Sequence, residues 1–364
     1  MTNENDRVNK EYVQKINREE VTNAKGISLK DIAKICNVSV STVSKALKDR
    51  KDISQTKKEE IQRVAKELNY IPNYMAATLK SKRTHNIGVL FTASTGLTHE
   101  HLTKVLNSFK DAVEEKGYFI TFLNASISSN RLSFLEQCKY MNFDGVFILC
   151  ADFRMPEVKE LTDSGIPIAA IDYITAKNIN ISSNAYGDMK RMLHLIYERG
   201  HRKIAYIHGE HCDATKGRVK AYKEFMREHG LAIPKEYMIT CPYRNYERSS
   251  SLTKIMLSFP NRPTCIIYPD DLTAIAGLNV IQEAGLHIPN DISIVGYDGL
   301  DLANMVRPRI TTVRQDTITM GIQAGNKLIN RIEFPQEAQG AENVIIDGVV
   351  VPGESVSLIY SIQN

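Results

Sequence analysis

From residue 86 onward, short apolar runs recur at 87–91, 118–123, 143–150, 166–171, 203–207, 264–268 and 292–296, with amphipathic stretches such as 102–116 between them. Strand and helix alternating in this way build a parallel sheet with helices on both faces. These runs are too many for one compact sheet of ordinary size. The pattern also restarts after a polar stretch at 178–187, which predicts two similar α/β lobes. Ligands in such sheets bind beyond the carboxyl ends of the strands, and two lobes add a cleft. Polar residues just past strand ends are therefore candidate ligand contacts: residues 92–94, Asp172, His208, Arg218, Asp270 and Asp298. Several carboxylates and one arginine suit a polyhydroxylated ligand, although loop caps use the same residue types.

The first 85 residues follow another grammar. Residues 25–84 carry 14 Lys/Arg against 6 Asp/Glu, a balance of +8 in a chain whose total is only +4. A cationic head on a mildly acidic body points to a polyanion. In the head, Ser28 precedes a short apolar-periodic stretch with Asp31 three residues on, an acidic variant of the capping box. Ile27 and Ile32 occupy the positions of a hydrophobic staple. Asn37 suits the left-handed end of that helix, and Ser39 caps a second one about three residues later. Two short helices joined so tightly predict a helix-turn-helix, with a third helix from about 54 to 68.

The second helix, within NVSVSTVSKALK, has an unusual outer face. Ser39, Ser41, Thr42 and Ser44 offer short hydroxyls, Val40 a small apolar group and Lys45 a cation. Such a slim face fits a major groove, where hydroxyls bond bases or phosphates and valine meets a thymine methyl. Lys30, Lys57, Lys58, Lys82 and Arg83 are expected phosphate contacts. After Pro72, Asn73 can cap a helix of about two turns that carries Met75, Ala76 and Leu79, too short to be stable alone. Packing on the body would explain it; so would pairing with a second copy over a DNA minor groove, with Leu79 as a wedge.

Other classes are disfavoured. No dinucleotide-binding, P-loop or nucleophile-elbow motif is found, and His99-Glu-His101 lacks zinc spacing. His208-Gly-Glu-His211-Cys212-Asp213 gathers ligand types but follows a strand directly, so a cleft-lining loop is the expectation, with no metal and no cofactor. The six cysteines show no C-x-x-C spacing, which suits reduced thiols in a cytosol. No apolar run reaches the roughly 18 residues of a membrane span, and the polar N-terminus lacks a signal-peptide core. A transport-type ligand-binding protein and a sugar-acting enzyme are the competing classes. The first is disfavoured by the basic head, the second by the missing nucleophile or metal constellation.

Five motifs, V-S-x-S-T-V-S-K-A-L, N-Y-I-P-N, G-H-R-K-I-A-Y-I, I-P-N-D-I-S-I-V-G-Y-D and R-I-T-T-V-R-Q-D, make the chain resemble the lactose/galactose-repressor family of bacterial transcription regulators over roughly residues 27–356. The resemblance implies an all-α helix-turn-helix DNA-binding head and a two-lobed effector domain like that of periplasmic sugar-binding proteins, with two doubly wound parallel sheets. Expected limits are a tail at 1–26, head 27–71, hinge 72–85, effector and dimerisation domain 86–356, and tail 357–364. Lobe 1 would comprise 86–181 and 309–340, lobe 2 182–308 and 341–356. The resemblance further implies a cytoplasmic homodimer on a near-palindromic double-stranded operator, acting as a repressor and sensing a sugar-like effector, with no membrane partner. Ser28, Leu29, Ser39, Val40, Ser41, Thr42, Ser44, Lys45, Lys48, Asn73, Ala76 and Leu79 match operator-contacting positions. Thr98, His99, Asp172, Arg218, Tyr246, Asp270 and Asp298 match effector positions. Lys45 stands where arginine is usual, Lys48 where asparagine is common, and Asp270 where asparagine is frequent.

Overall fold

The structure is a computed structural model, and it describes residues 27–71, 83–92, 100–123, 132–336 and 340–359. The chain divides into two compact units at Thr84/His85.

The head is built from α1 (Leu29–Ile35), α2 (Val40–Leu47) and α3 (Gln55–Glu67). Ser28 begins α1, its amide and hydroxyl both donating to the Asp31 carboxylate at 2.9 and 2.6 Å. The Ser28 hydroxyl in turn holds the Asp31 carboxyl below its ordinary pKa. Asn37 turns the chain with φ +50°, which asparagine tolerates better than most residues. Ile32, Val43 and Ile61, one from each helix, are fully buried against one another's neighbours in a single small core.

The body opens with β1 (Asn86–Phe91), α4 (Glu100–Glu114), β2 (Phe119–Phe122), α5 (Phe134–Met141), β3 (Gly145–Cys150), α6 (Pro156–Thr162), β4 (Ile168–Ile171) and β5 (Ile179–Ser183). It continues with α7 (Ala185–Glu198), β6 (Ile204–His208), α8 (Asp213–Glu228), β7 (Met238–Thr240), α9 (Tyr246–Leu257), β8 (Cys265–Ile267), α10 (Asp271–Glu283), β9 (Ser293–Val295) and α11 (Asp301–Met305). It closes with β10 (Thr312–Arg314), α12 (Thr317–Glu333), β11 (Glu342–Ile346) and β12 (Val349–Val351). One parallel sheet runs β11-β5-β4-β3-β1-β2, a second runs β7-β6-β8-β9, and β10 pairs antiparallel with β12. Each parallel sheet has an apolar core on both faces, as helices on two sides require. In the first lobe α12 lies so close to α4 that a Cβ at Gly321 would collide with the Val105 carbonyl.

The expected lobe limits need correction at both C-terminal segments. Thr311 bridges to Val295, and Ile310 and Val313 belong to second-lobe cores, so residues 309–314 go with lobe 2 rather than lobe 1. Strand β11 pairs with β5 in the first sheet, so residues 342–346 go with lobe 1 rather than lobe 2. The polar stretch at 178–187, read as a break, contains the buried strand β5. Its polar groups are satisfied: Asn180 Nδ2 donates to Thr175 O (3.0 Å) and Asn343 Oδ1 (2.8 Å), and Asn178 Nδ2 to Thr162 O (3.0 Å). Hydrogen bonding across the sheet thus replaces the apolar pattern that normally announces a buried strand.

The chain therefore crosses between lobes three times, after β5, after β10 and after β11. Asn184 and Asp347, on two of these crossings, are joined by Asn184 Nδ2 donating to Asp347 Oδ1 at 2.6 Å. Asp188, fully buried at the start of α7, accepts from the Gly348 amide (3.0 Å), the Tyr297 hydroxyl (3.3 Å) and Arg191. Burial raises the Asp188 pKa, opposed by the Gly348 amide and the Arg191 charge.

Asp188→Ala leaves the Gly348 amide and the Tyr297 hydroxyl without their acceptor and removes one of the two carboxylates on Arg191; it is expected to cost about 3 kcal/mol, read by urea unfolding. His201 offers a pH test. It is fully buried with Nδ1 3.0 Å from Thr264 Oγ1, and chiefly burial pushes its pKa from 6.5 down to about 4. The folded state keeps the imidazole neutral while the unfolded chain protonates it, so this contribution to stability is lost as pH falls from 6.5 towards about 4. His201→Gln should flatten the slope of stability against pH within that window, measured beside the parent chain.

Candidate nucleic-acid interface and effector cleft

In the head, α2 buries Val43 and Ala46, packs Leu47 against the same core, and turns Val40, Ser41 and Lys45 outward. Ser39 is spent on the helix start: its Oγ accepts from the Thr42 amide (3.1 Å) and lies 2.8 Å from Thr42 Oγ1 and 3.1 Å from Ser41 Oγ. Val40 is 40% exposed at the first turn, an apolar group with nothing to gain from water. Ser41 is exposed and Ser44 half-buried on the same helix. Lys45 pairs with Asp52 at 2.6 Å, and both side chains are about half exposed. Such a surface pair is weak and easily exchanged for a phosphate or a base. Lys30 and Lys48 are exposed, with no ion pair among the described residues. Ser28 is engaged with Asp31, and Leu29 packs against the head core.

Two expected phosphate contacts are otherwise employed. Lys57 Nζ donates to Cys36 O (2.9 Å) and Glu60 (2.8 Å), tying α3 to the end of α1. Lys58 is buried and paired with Asp49 at 2.7 Å. A helix surface read from charge alone does not reveal which lysines the fold itself consumes. Asn73, Ala76, Leu79 and Lys82 lie outside the described residues, as do Thr98 and His99.

The body centres its candidate ligand chemistry on Arg218, which α8 carries into the interior. Its guanidinium lies 3.3 Å from the centroid of the Tyr297 ring, and Nη1 donates to Pro269 O at 2.9 Å. Its Nε is buried without a protein partner. Asp298, at the end of β9, has φ +100°, a costly conformation for a non-glycine residue. Gln315 Nε2 donates to its Oδ1 at 2.7 Å. Asp270 caps α10, accepting from the Thr273 and Arg244 amides, each at 2.8 Å. Burial, then the nearby Asp298 carboxylate, raises the Asp270 pKa. Asp172, on lobe 1, has φ +50° and accepts from the Ser183 amide at 2.9 Å. Tyr246 is exposed and lines a cavity of about 570 Å³ with Tyr243, Leu300 and Leu302. Asp298 lines another, of about 620 Å³, with Lys104, Arg314 and Gln315. Glu100 and Leu300 border both.

The residues around His208 do not converge as a metal site would. Glu210 accepts from the Tyr243 amide (2.8 Å), Cys212 caps α8, and Asp213 pairs with Lys216 (2.8 Å). Among the described residues no three His, Cys, Asp or Glu side chains gather to hold a metal. Tyr297, Tyr243 and Gln315 were missed from sequence. Tyr297 immediately precedes Asp298 in I-V-G-Y-D, but its stacking on Arg218 joins segments far apart in sequence and leaves no local signal. The lobes also touch through charge: Lys104 of α4 reaches Glu100 (2.5 Å) and Asp301 (3.3 Å), and the Asp301 amide donates to Glu100 at 3.2 Å.

A helix-turn-helix head joined to a two-lobed, doubly wound body defines the class of ligand-responsive DNA-binding regulators. Residues 28–73 match the family described as bacterial regulatory proteins, lacI family, and residues 193–356 match the periplasmic binding protein-like domain. The chain thus carries a lacI-family DNA-binding domain followed by a periplasmic binding protein-like domain. It is 29% identical over 317 residues to the ribose operon repressor of Escherichia coli K12, covering 85% of this chain and 94% of that one. To the HTH-type transcriptional repressor PurR of E. coli O139:H28 it is 28% identical over 317 residues, 85% and 92% of the two chains. Among solved structures it resembles a lac repressor dimer bound to operator and the anti-inducer ONPF, with TM-score 0.78, 22% identity, and 92% and 100% coverage. It also resembles a LacI family regulator from Enterococcus faecium with bound ribose, with TM-score 0.64, 20% identity, and 76% and 100% coverage. No described helix is long and apolar enough to cross a membrane.

Proposed function

We propose that the chain is a homodimeric repressor that grips a near-palindromic operator with α2 and is controlled by a sugar or sugar derivative closed between its lobes. The observation that carries the effector half is Arg218, a buried cation on an aromatic ring with an unpartnered Nε. A buried donor left open costs free energy, and a ligand hydroxyl or carboxylate relieves it. Asp298 and Asp172 each have one carboxylate oxygen engaged by the protein, through Gln315 and Ser183, and offer the other to ligand hydroxyls. The names of the ribose operon repressor and of the ribose-bound neighbour support a sugar. The proposal assigns no catalysis to the cleft.

On DNA, Val40, Ser41, Ser44, Lys45 and Lys48 read bases or phosphates, while Ser28, Ser39 and Thr42 hold the helix starts that present them. Asn73, Ala76 and Leu79 are proposed minor-groove contacts, and Thr98, His99, Tyr246 and Asp270 proposed parts of the effector site. Ligand closure alters the body, and the effect reaches the head through the segment joining the two units. Coupling of this kind is typically about 1–3 kcal/mol, which makes regulation graded.

Selection of duplexes from a random library by the full chain should converge on a two-fold symmetric sequence. Val40→Ala should relax the preference at one base position per half-site, by about 1 kcal/mol of discrimination, in binding titrations. Failure to enrich any sequence, with and without sugars, would remove the DNA half of the proposal. Arg218→Met should abolish the thermal shift given by whichever sugar stabilises the parent chain, while the variant still binds the selected duplex. An undiminished shift would take Arg218 out of the site.

A further inference from the structure

Along α8, lobe 2 carries a charged groove that begins beside His208 and His211 and runs on over cations that neither DNA reading nor the proposed effector site uses. On α8, Lys216, Lys220, Lys223 and Arg227 recur at intervals of four, three and four residues, which places all of them along one helical face. All four are exposed. Lys216 is paired with Asp213, whereas Lys220, Lys223 and Arg227 have no carboxylate partner among the described residues. The one acid in the stripe's span that lines the groove, Glu224, is held by the Tyr186 hydroxyl at 2.7 Å. Between this face and strand β7 lies a groove of about 710 Å³, which Met238 and Thr240 line from the strand side.

Strand β7 is an edge of its sheet. The Cys241 amide donates to the His208 carbonyl at 2.8 Å. By the alternation of a parallel ladder, this turns the Thr240 amide and carbonyl, and the Met238 carbonyl, to the open side. The Met238 amide is already used on Lys235 O. An open edge beside a row of like charges is protected against pairing with ordinary strands and selective for an oppositely charged one.

We propose that this groove docks an extended acidic segment of a partner protein, added along β7 with its carboxylates facing the α8 cations. The dimensions agree. From Lys216 to Arg227 the helix rises about 16 Å, the length of about five extended residues. Alternate residues of a strand stand about 6.6 Å apart, close to the roughly 5–6 Å between successive positions on the helical stripe. A single phosphate would meet one or two of these cations and leave the strand edge unused. The charge row would also speed encounter with an acidic partner.

The test uses the full chain and a fluorescein-labelled ten-residue peptide of alternating glutamate and threonine, with a lysine–threonine peptide as control, read by anisotropy. Saturable binding of the acidic peptide alone is expected, weakened by salt and at least tenfold weaker in the combined variant Lys220→Ala, Lys223→Ala, Arg227→Ala. These exposed changes should leave the melting temperature and duplex binding unchanged. Hydrogen exchange should slow at the Thr240 amide when the peptide binds. Equal affinity in parent and variant would overturn the proposal, since the peptide would then sit elsewhere, as on the basic head. Binding without protection of Thr240 would overturn strand addition. Saturable binding of tripolyphosphate to this face without any peptide binding would replace the partner segment by a small polyanion.

Discussion

Tyr297 links the parts of the body that a regulator must connect. Its ring lies under the Arg218 guanidinium at 3.3 Å, and its hydroxyl donates to the buried Asp188 carboxylate at 3.3 Å. Asp188 in turn takes the Gly348 amide, on the third crossing between lobes, and Arg191, which also bonds Asp347. The candidate ligand cation is thus two side chains from a segment that crosses between the lobes. A buried carboxylate is tolerated only while its hydrogen bonds stay intact, so this cluster resists gradual distortion. A ligand that shifts Arg218 acts on a set of contacts that is made or unmade together, which is what a two-position body needs.

The closing side is softer. Lys104, Glu100 and Asp301 join the lobes through side chains that remain partly in water. Partly exposed pairs of this kind add little net stability and exchange readily. A rigid pivot and a weak clasp together allow a modest ligand free energy to change the population of closed bodies. The head shows the same economy. Its core holds few residues, so Lys57 and Lys58 are recruited to tie helices together instead of facing DNA. What remains outward on the first turn of α2, Val40 and Ser41, is short, which leaves the helix backbone there able to approach base edges.

Much of the fold was legible because periodicity and capping are local. The helix starts at Ser28, Ser39 and near residue 54, and the runs that became β1, β3, β6, β8 and β9, follow from spacing and from residues that stop a helix. Strand β5 was hidden because Asn178 and Asn180 are buried with their hydrogen bonds satisfied by residues far away in sequence. The exchange of 309–314 and 342–346 between lobes was hidden for a related reason: which sheet a strand joins is settled by pairing, not by its own composition. At the candidate site, Arg218 and Asp298 could be chosen from their place after strands. The ring beneath Arg218 and the carboxylate behind that ring could not, because both are contacts between distant segments.

The central claim is that ligand in the cleft and DNA on the head bias one equilibrium. Linkage makes this directly measurable, because the factor by which ligand changes operator affinity must equal the factor by which operator changes ligand affinity. Calorimetric titration of the stabilising sugar into the full chain, free and saturated with its selected duplex, measures the second factor; duplex titration with and without sugar measures the first. The account predicts equal factors, of about 5 to 150. A sugar affinity that is the same with and without bound duplex would contradict it.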